Sequence, residues 1–238
     1  MENIEQLKNH ALGLMKASGF SITEKIEIAV DEKLQIMGYT TEESGKEKIV
    51  VAQWALQSDM LIGLLIHELS HIYRNQTRHP SHNFAIHNKA VAMVFGHRKL
   101  QKYQEEILRS IINTIQDLYA DDIFFRVKKD IKTNPADFFI GWVKEPVEGR
   151  SEKSKWTTAG NMISAAFAQA NLERHHAKDT NGEVEKAVKD FLSQSDPRIA
   201  EKYEYFKNVM VQMPEKITNE EFGALLIDFL RNFFNLTK

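Results

Sequence analysis

The most strongly patterned segment of the chain is DMLIGLLIHELSHIYRN, residues 59–75. Its apolar residues recur at helical spacing, and the short oxygen-bearing side chain of Ser58 or Asp59 can accept from the N–H groups of a helix start. The apolar run from Met60 to Ile66 is far below the roughly 20 residues of a membrane span. We therefore predict a buried helix over residues 59–75 and no membrane as a partner.

This predicted helix contains the pentapeptide HELSH, an HExxH motif. Because helix residues advance by about 100° and 1.5 Å each, His67 and His71 would lie on one face, ~6 Å apart along the axis, and both imidazoles could reach one tetrahedral zinc ion. Glu68 would then lie to one side of the metal, where a carboxylate can take a proton from a water molecule that the metal activates. The motif predicts metal-assisted hydrolysis with Zn²⁺ as the cofactor.

The composition limits the chemistry and the partners. The chain has no cysteine, so a metal must be held by His, Asp or Glu side chains. Its 31 basic and 33 acidic residues give a net charge of −2, which offers no electrostatic reason to bind nucleic acid. The N-terminal sequence MENIEQLKNH is acidic and lacks the apolar core of a signal peptide. We therefore predict a cytoplasmic protein.

The segments before the motif predict a small β-sheet. They alternate apolar and polar side chains or carry β-branched residues, as strands do. The predicted strands are residues 25–31, 33–38 and 48–56. The polar run TTEESGKEK at 40–48 is predicted to be a loop. An amphipathic helix is predicted before them, over residues 3–17.

The sequence after the motif predicts mainly helices. RNQTRHPSHN at 74–83 is rich in turn formers and is predicted to be a loop. From Phe84 to about Lys129 there is no proline and only Gly96 interrupts the pattern, which predicts two helices with a break near 96–101. The predicted domains are a core at 1–143, a linker rich in charge at 144–155 and a helical C-terminal region at 156–238.

The second of these long helices carries an acidic segment, DLYADDIF at 117–124. The chain has, in order, a helix, a strand meander, the HExxH helix and a helix with an acid followed by xxAD and an apolar pair. This order resembles the compact gluzincin metallopeptidases, whose second helix reads like ExxADxFA. The resemblance covers about residues 20–130. It implies an α+β fold with a zincin-like core, in which a small β-sheet packs on the HExxH helix beside a second ligand-bearing helix, and it implies metallopeptidase activity.

The resemblance also assigns roles to residues of the second helix. Asp117 would be the third zinc ligand, in place of the usual glutamate. Asp121 would accept the ring N–H of a zinc-bound histidine, which fixes the orientation of that ring. Ile123 and Phe124 depart from the pattern, which has Phe and Ala at these positions.

Other residues remain candidates for the same tasks. The alternatives to Asp117 as third ligand are Asp121, Asp122, His82 and His87. The candidates to stabilise an oxyanion during hydrolysis are His79, His82, His87, Tyr119 and Arg126. The metzincin continuation HExxHxxGxxH is excluded, because it needs glycine and histidine where the chain has Arg74 and Thr77.

Two functions follow as hypotheses. In the first, the chain is a zinc metallopeptidase that cleaves a peptide or protein substrate; a peptide would pair with KIVVAQWAL if that segment forms the sheet edge. In the second, the chain is a non-catalytic, zinc-stabilised binding or regulatory module that acts through its C-terminal helices. The amphipathic C-terminal segment LLIDFLRNFF is predicted to pack either on the core or on a second subunit of a homo-oligomer.

Overall fold

The chain is an α+β protein in the computed structural model, which describes residues 3–96, 98–127 and 134–238. The described residues fall into two compact units. The first contains residues from 1–82 and 119–133, and the second contains residues from 83–118 and 134–238. The sequence predicted a core at 1–143, a linker at 144–155 and a helical region at 156–238. Those ranges describe domains along the chain, whereas the two units are groups of residues in contact, so the predicted domains stay a prediction.

The first unit contains a helix, a sheet and the helix of the HELSH motif. Its elements are α1 (Ile4–Ala17), β1 (Ile26–Asp31), β2 (Gly38–Glu43), β3 (Lys46–Ala52) and α2 (Leu61–Gln76). α1 begins with a capping box, in which Asn3 and Gln6 each accept from the other's backbone N–H. The helices predicted over 3–17 and 59–75 are thereby confirmed.

The sheet has the strand order β1-β3-β2 in the described residues. β3 is its central strand, parallel to β1 and antiparallel to β2. KIVVAQWAL therefore does not form a sheet edge, because its residues 48–51 pair with strands on both sides. Its last residues form a short 3₁₀ helix, Gln53–Gln57, and not a continuation of the strand.

The predicted strand 33–38 and the predicted loop 40–48 are both wrong. The actual strand β2 begins at Gly38, and it joins β3 through the two-residue turn Ser44-Gly45, whose φ angles are 52° and 75°. Such positive φ angles at both central residues are typical of tight hairpins. Ile36, whose spacing predicted a strand, is 56% exposed and belongs to the connection before β2.

One face of the sheet packs closely on α2. Ile49 and Val51 of β3 are fully buried. Gly38 is in register with Val51. A Cβ atom at Gly38 would lie 2.9 Å from the Val50 carbonyl oxygen of β3 and 3.1 Å from a methyl carbon of Leu64 on α2. The close approach of Gly38 to the β3 backbone, together with the α2 side chain above it, therefore favours glycine at this position.

Gly38→Ala is expected to destabilise the protein by about 1–3 kcal/mol, because the added methyl group meets a backbone oxygen that cannot move without disturbing the strand pairing. Urea unfolding would measure the change. The matched control is Gly13→Ala on α1, where a Cβ would meet nothing within 4 Å. That variant is expected to gain about 0.5–1 kcal/mol from helix propensity. Equal effects in the two variants would contradict the tight contact at Gly38.

The second unit is helical. Its elements are α3 (Phe84–Phe95), the first part of α4 (Lys102–Val127), α5 (Pro135–Phe139), α6 (Glu152–Arg174), α7 (Glu183–Gln194), α8 (Pro197–Gln212) and α9 (Asn219–Leu236). The predicted break near 96–101 is confirmed, and Gly96 ends α3 with a φ of 61°. The predicted end of the following helix near Lys129 lies outside the described residues.

The core of the second unit forms around α6 and α9. α6 begins at Glu152, inside the predicted linker 144–155, and Trp156 in its first turns is 2% exposed. α9 packs against α3, and its apolar face is buried within this unit. The LLIDFLRNFF segment thus packs on the core, and the homo-oligomer stays a prediction. No helix within residues 3–96, 98–127 and 134–238 has the length and apolar character needed to cross a membrane.

Candidate metal centre

The HELSH histidines project from the middle of α2. The helix is anchored on both sides of them by fully buried apolar residues: Leu65, Ile66, Leu69 and Ile72. His67 and His71 are half-buried, whereas Glu68 is only 5% exposed. The Nε2 atoms of the two histidines lie 3.1 Å apart. The spacing of four residues therefore brings both imidazoles to one point, as helix geometry requires.

Helix α4 brings acidic residues to the same point. α4 is continuous from Lys102 to Val127, and it carries Asp117 and Asp121 one turn apart. One side-chain ligand atom each from Asp117, His67 and His71 lies within 4.8 Å of the other two. Asp121 Oδ1 lies 2.8 Å from His67 Nδ1. The residues predicted from the HExxH motif and from the acidic segment 117–124 thus lie close together. Their role as metal ligands stays a prediction.

The geometry of these groups fits a metal ion. Two nitrogen ligands of a tetrahedral zinc ion with Zn–N bonds of about 2.0–2.1 Å lie roughly 3.3 Å apart, close to the 3.1 Å between the histidine Nε2 atoms. Because the Asp121 carboxylate accepts hydrogen bonds, Nδ1 of a neutral His67 carries the hydrogen and Nε2 keeps its lone pair. The donor set of two imidazoles and one carboxylate is one that zinc uses in hydrolytic enzymes.

The other candidate ligands lie elsewhere. Asp121 and His82 contact the Nδ1 atoms of the two histidines, on the opposite side of each ring from the shared Nε2 pair. Asp122 and His87 are buried, but neither belongs to the three-residue group found among the described side chains. Asp117 is therefore the acid that best completes the group.

The Glu68 carboxylate is held by a residue that the sequence did not suggest. Thr40 Oγ1 donates to Glu68 Oε2 at 2.8 Å and lies 3.2 Å from the backbone oxygen of the same residue. This contact fixes the rotamer of the glutamate. Thr40 was hidden because it falls in the predicted loop 40–48. The Ser44-Gly45 pair between two β-branched segments is the signal that could have revealed the hairpin and its strand.

A buried arginine joins α2 and α4. Arg74 of α2 is 6% exposed, and its Nε donates to the Tyr119 carbonyl oxygen of α4 at 3.0 Å. The Tyr119 ring itself is fully buried, with its centroid 4.8 Å from that of His79. Arg126 is exposed. Two of the residues proposed to stabilise an oxyanion are thus placed differently: the Tyr119 ring is packed in the interior, and Arg126 lies at the surface.

The fold and the site together define an α+β protein with a two-histidine, one-aspartate cluster on a pair of helices. The chain belongs to the family of unknown function DUF5781, whose model matches residues 11–235. Comparison with curated proteins and with solved structures finds no match. The matched range extends over both the HELSH segment and the C-terminal helices.

Proposed function

We propose that this protein is a zinc-dependent hydrolase, specifically a metallopeptidase of the gluzincin type. The observation that carries the proposal is the convergence of His67, His71 and Asp117, residues from two helices, within 4.8 Å. The HExxH spacing supports it, because a site that only stabilised the fold would have no need of a carboxylate beside the metal. The resemblance of DLYADDIF to the second gluzincin helix supports the substrate class.

Each residue of the site has a distinct task in this proposal. His67, His71 and Asp117 would hold the zinc, which when bound supplies Lewis acidity toward a water molecule and a peptide carbonyl. Glu68 takes a proton from the attacking water and later gives it to the leaving amine. Thr40 holds Oε2 of that carboxylate, so the proton transfer falls to Oε1. Asp121 holds the His67 ring through Nδ1.

The substrate of the proposed enzyme is a peptide or protein, as the family resemblance implies. Pairing of a peptide with KIVVAQWAL is not retained, because β3 is bonded to strands on both sides. Function depends on the site more than on the architecture, so the metal cluster is the part of the proposal to test first.

Metal analysis of the purified protein tests the proposal. Wild type, reconstituted with zinc after mild chelation, is expected to retain about one zinc per chain, whereas His67→Ala and Asp117→Ala are expected to fall below about 0.1, because each loses a ligand of a three-residue set. The matched controls are His10→Ala on α1 and Glu105→Ala on α4, both exposed and outside the cluster.

The outcomes separate the parts of the proposal. Zinc lost from both site variants and kept by both controls supports the assigned ligands. Zinc kept by Asp117→Ala would move the third ligand to another residue. A wild-type protein that takes up no zinc would overturn the proposed hydrolase.

A further inference from the structure

A chain of hydrogen bonds leads from His71 into the loop after α2. His71 Nδ1 lies 2.8 Å from His82 Nε2, and His82 Nδ1 lies 2.8 Å from Ser81 Oγ. The same hydroxyl lies 2.8 Å from His79 Nδ1. Ser81 is fully buried and His82 is 8% exposed. Three contacts of hydrogen-bond length thus connect one histidine of the metal cluster to a buried second layer.

The direction of every bond in this chain is set at its far end. The backbone N–H of Ser81 donates to His79 Nδ1 at 3.3 Å, so that nitrogen must be an acceptor. The Ser81 hydroxyl therefore donates to His79 Nδ1, and its oxygen accepts from His82 Nδ1–H. With its hydrogen on Nδ1, a neutral His82 accepts at Nε2 from His71 Nδ1–H. Nε2 of His71 is left with its lone pair.

The result is a pair of histidines whose Nε2 atoms can both coordinate a cation. In His67, the direct contact of Nδ1 with the Asp121 carboxylate also favours the tautomer with its hydrogen on Nδ1. With these tautomers, the two Nε2 atoms, which lie 3.1 Å apart, both carry lone pairs. Such a pair is repulsive when empty and favourable when a cation lies between the nitrogens. The tautomers of both rings therefore favour metal uptake.

We propose that His82 is a positioning residue, which sets the tautomer and orientation of His71 and thereby raises the affinity of the site for zinc. The proposal rests on the proposed function, and it adds a residue outside the ligand set. A neutral imidazole can donate or accept at either nitrogen, unlike the carboxylate or carbonyl that usually contacts a metal-bound histidine. His82 therefore needs Ser81 and His79 to hold its own hydrogen on Nδ1.

The backbone of the loop keeps this second layer in place. The N–H of His79 donates to the Arg74 carbonyl at 2.9 Å, and the N–H of His82 donates to the His79 carbonyl at 3.0 Å. Arg78 adopts a φ of 53°, a conformation that a non-glycine residue keeps only when its surroundings impose it. The loop is thus tied to the end of α2, the helix that carries His71.

Zinc affinity tests the positioning role. Competition of wild type and variants with a chromophoric chelator for Zn²⁺ is expected to show 10–100-fold weaker binding in His82→Leu, roughly the usual cost of removing such a partner. His82→Gln is expected to recover affinity to within about threefold of wild type, because its amide oxygen can accept from His71 Nδ1–H. His10→Leu, on the exposed face of α1, is the control.

Imidazole NMR on the metal-free protein measures the tautomer of each histidine. This tautomer would not change if His82 and Ser81 only stabilised the fold. In ¹⁵N-histidine-labelled wild type, His71 and His82 are expected as Nδ1–H tautomers and His79 as the Nε2–H tautomer. Ser81→Ala removes the hydroxyl that sets the direction, so His71 is expected to become a mixture of tautomers. Thermal unfolding of the metal-free variants reports separately on any loss of stability.

The two measurements distinguish the possible failures. Unchanged zinc affinity in His82→Leu, or an Nε2–H tautomer of His71 in the metal-free wild type, would overturn the positioning role while leaving the zinc enzyme in place. A wild type that binds no zinc would overturn the proposed function, and the NMR result on the same metal-free protein would still decide whether the hydrogen-bond chain exists. A mixed tautomer in Ser81→Ala together with rescue by His82→Gln supports the proposal.

Discussion

Glu68→Gln is expected to retain about one zinc per chain and to lose peptide hydrolysis by about 10²–10⁴-fold, the usual contribution of a general base. The amide has the shape of the carboxylate, and its oxygen can still accept from the Thr40 hydroxyl. It cannot take a proton from water. The measurement is kcat/KM on a quenched-fluorescence peptide library, with zinc content determined on the same samples.

The control for this variant is Glu105→Gln, an exposed glutamate on α4 that lies outside the metal cluster. It is expected to hydrolyse peptides at the wild-type rate. If zinc is bound but Glu68→Gln is as active as wild type, Glu68 is not the base. If zinc is bound and neither protein hydrolyses any peptide, the result favours the alternative of a zinc-stabilised binding module.

Trp156→Ala is expected to lower the free energy of unfolding by about 3–5 kcal/mol, as large-to-small changes at buried aromatic residues do. The indole is 2% exposed, and its ring centroid lies 5.4 Å from that of Phe233 and 6.0 Å from that of Phe95. The cavity left by the indole would remove apolar contacts with α9 and α3. Urea unfolding followed by circular dichroism measures the loss.

The matched control is Trp54→Ala, because Trp54 is 53% exposed and its indole N–H donates to the Leu34 carbonyl at the surface. Loss of this exposed bond is expected to cost no more than about 1.5 kcal/mol. An equal cost in the two variants would contradict the assignment of Trp156 to the core of the second unit.

The helices and the grouping of His67, His71 and Asp117 could be predicted because their signals are local or periodic. The four-residue spacing of His67 and His71 converts directly into one helix face. Gly96 marks a helix end because it tolerates a positive φ. Spacing alone does not distinguish Asp117 and Asp121 from other acidic residues, because many acids lie on helix surfaces. Their prediction depended on the resemblance to the xxAD pattern in the second helix of the gluzincins.

The small sheet was predicted, but its strand β2 and the second layer could not be, because they depend on contacts between distant residues. β2 has the sequence GYTTEE, whose polar side chains resemble those of a loop, and only its pairing with β3 makes it a strand. Thr40 reaches Glu68 across 28 positions of the chain. The sequence predicts His82 only as a candidate ligand or oxyanion stabiliser, because its contact with His71 Nδ1 depends on the path of the loop between them.

Because of the strand order β1-β3-β2, the two strand pairs of the sheet cost different amounts of chain entropy to form. β2 and β3 are joined by two residues, so their pairing closes a very short loop, and each further residue pair forms next to one that is already paired. β1 joins on the far side of β3, across about 20 residues of intervening chain, and its closure costs more chain entropy. We therefore expect the hairpin that carries Thr40 to form at the lowest entropic cost, and β1, the first strand in the sequence, to pair after it.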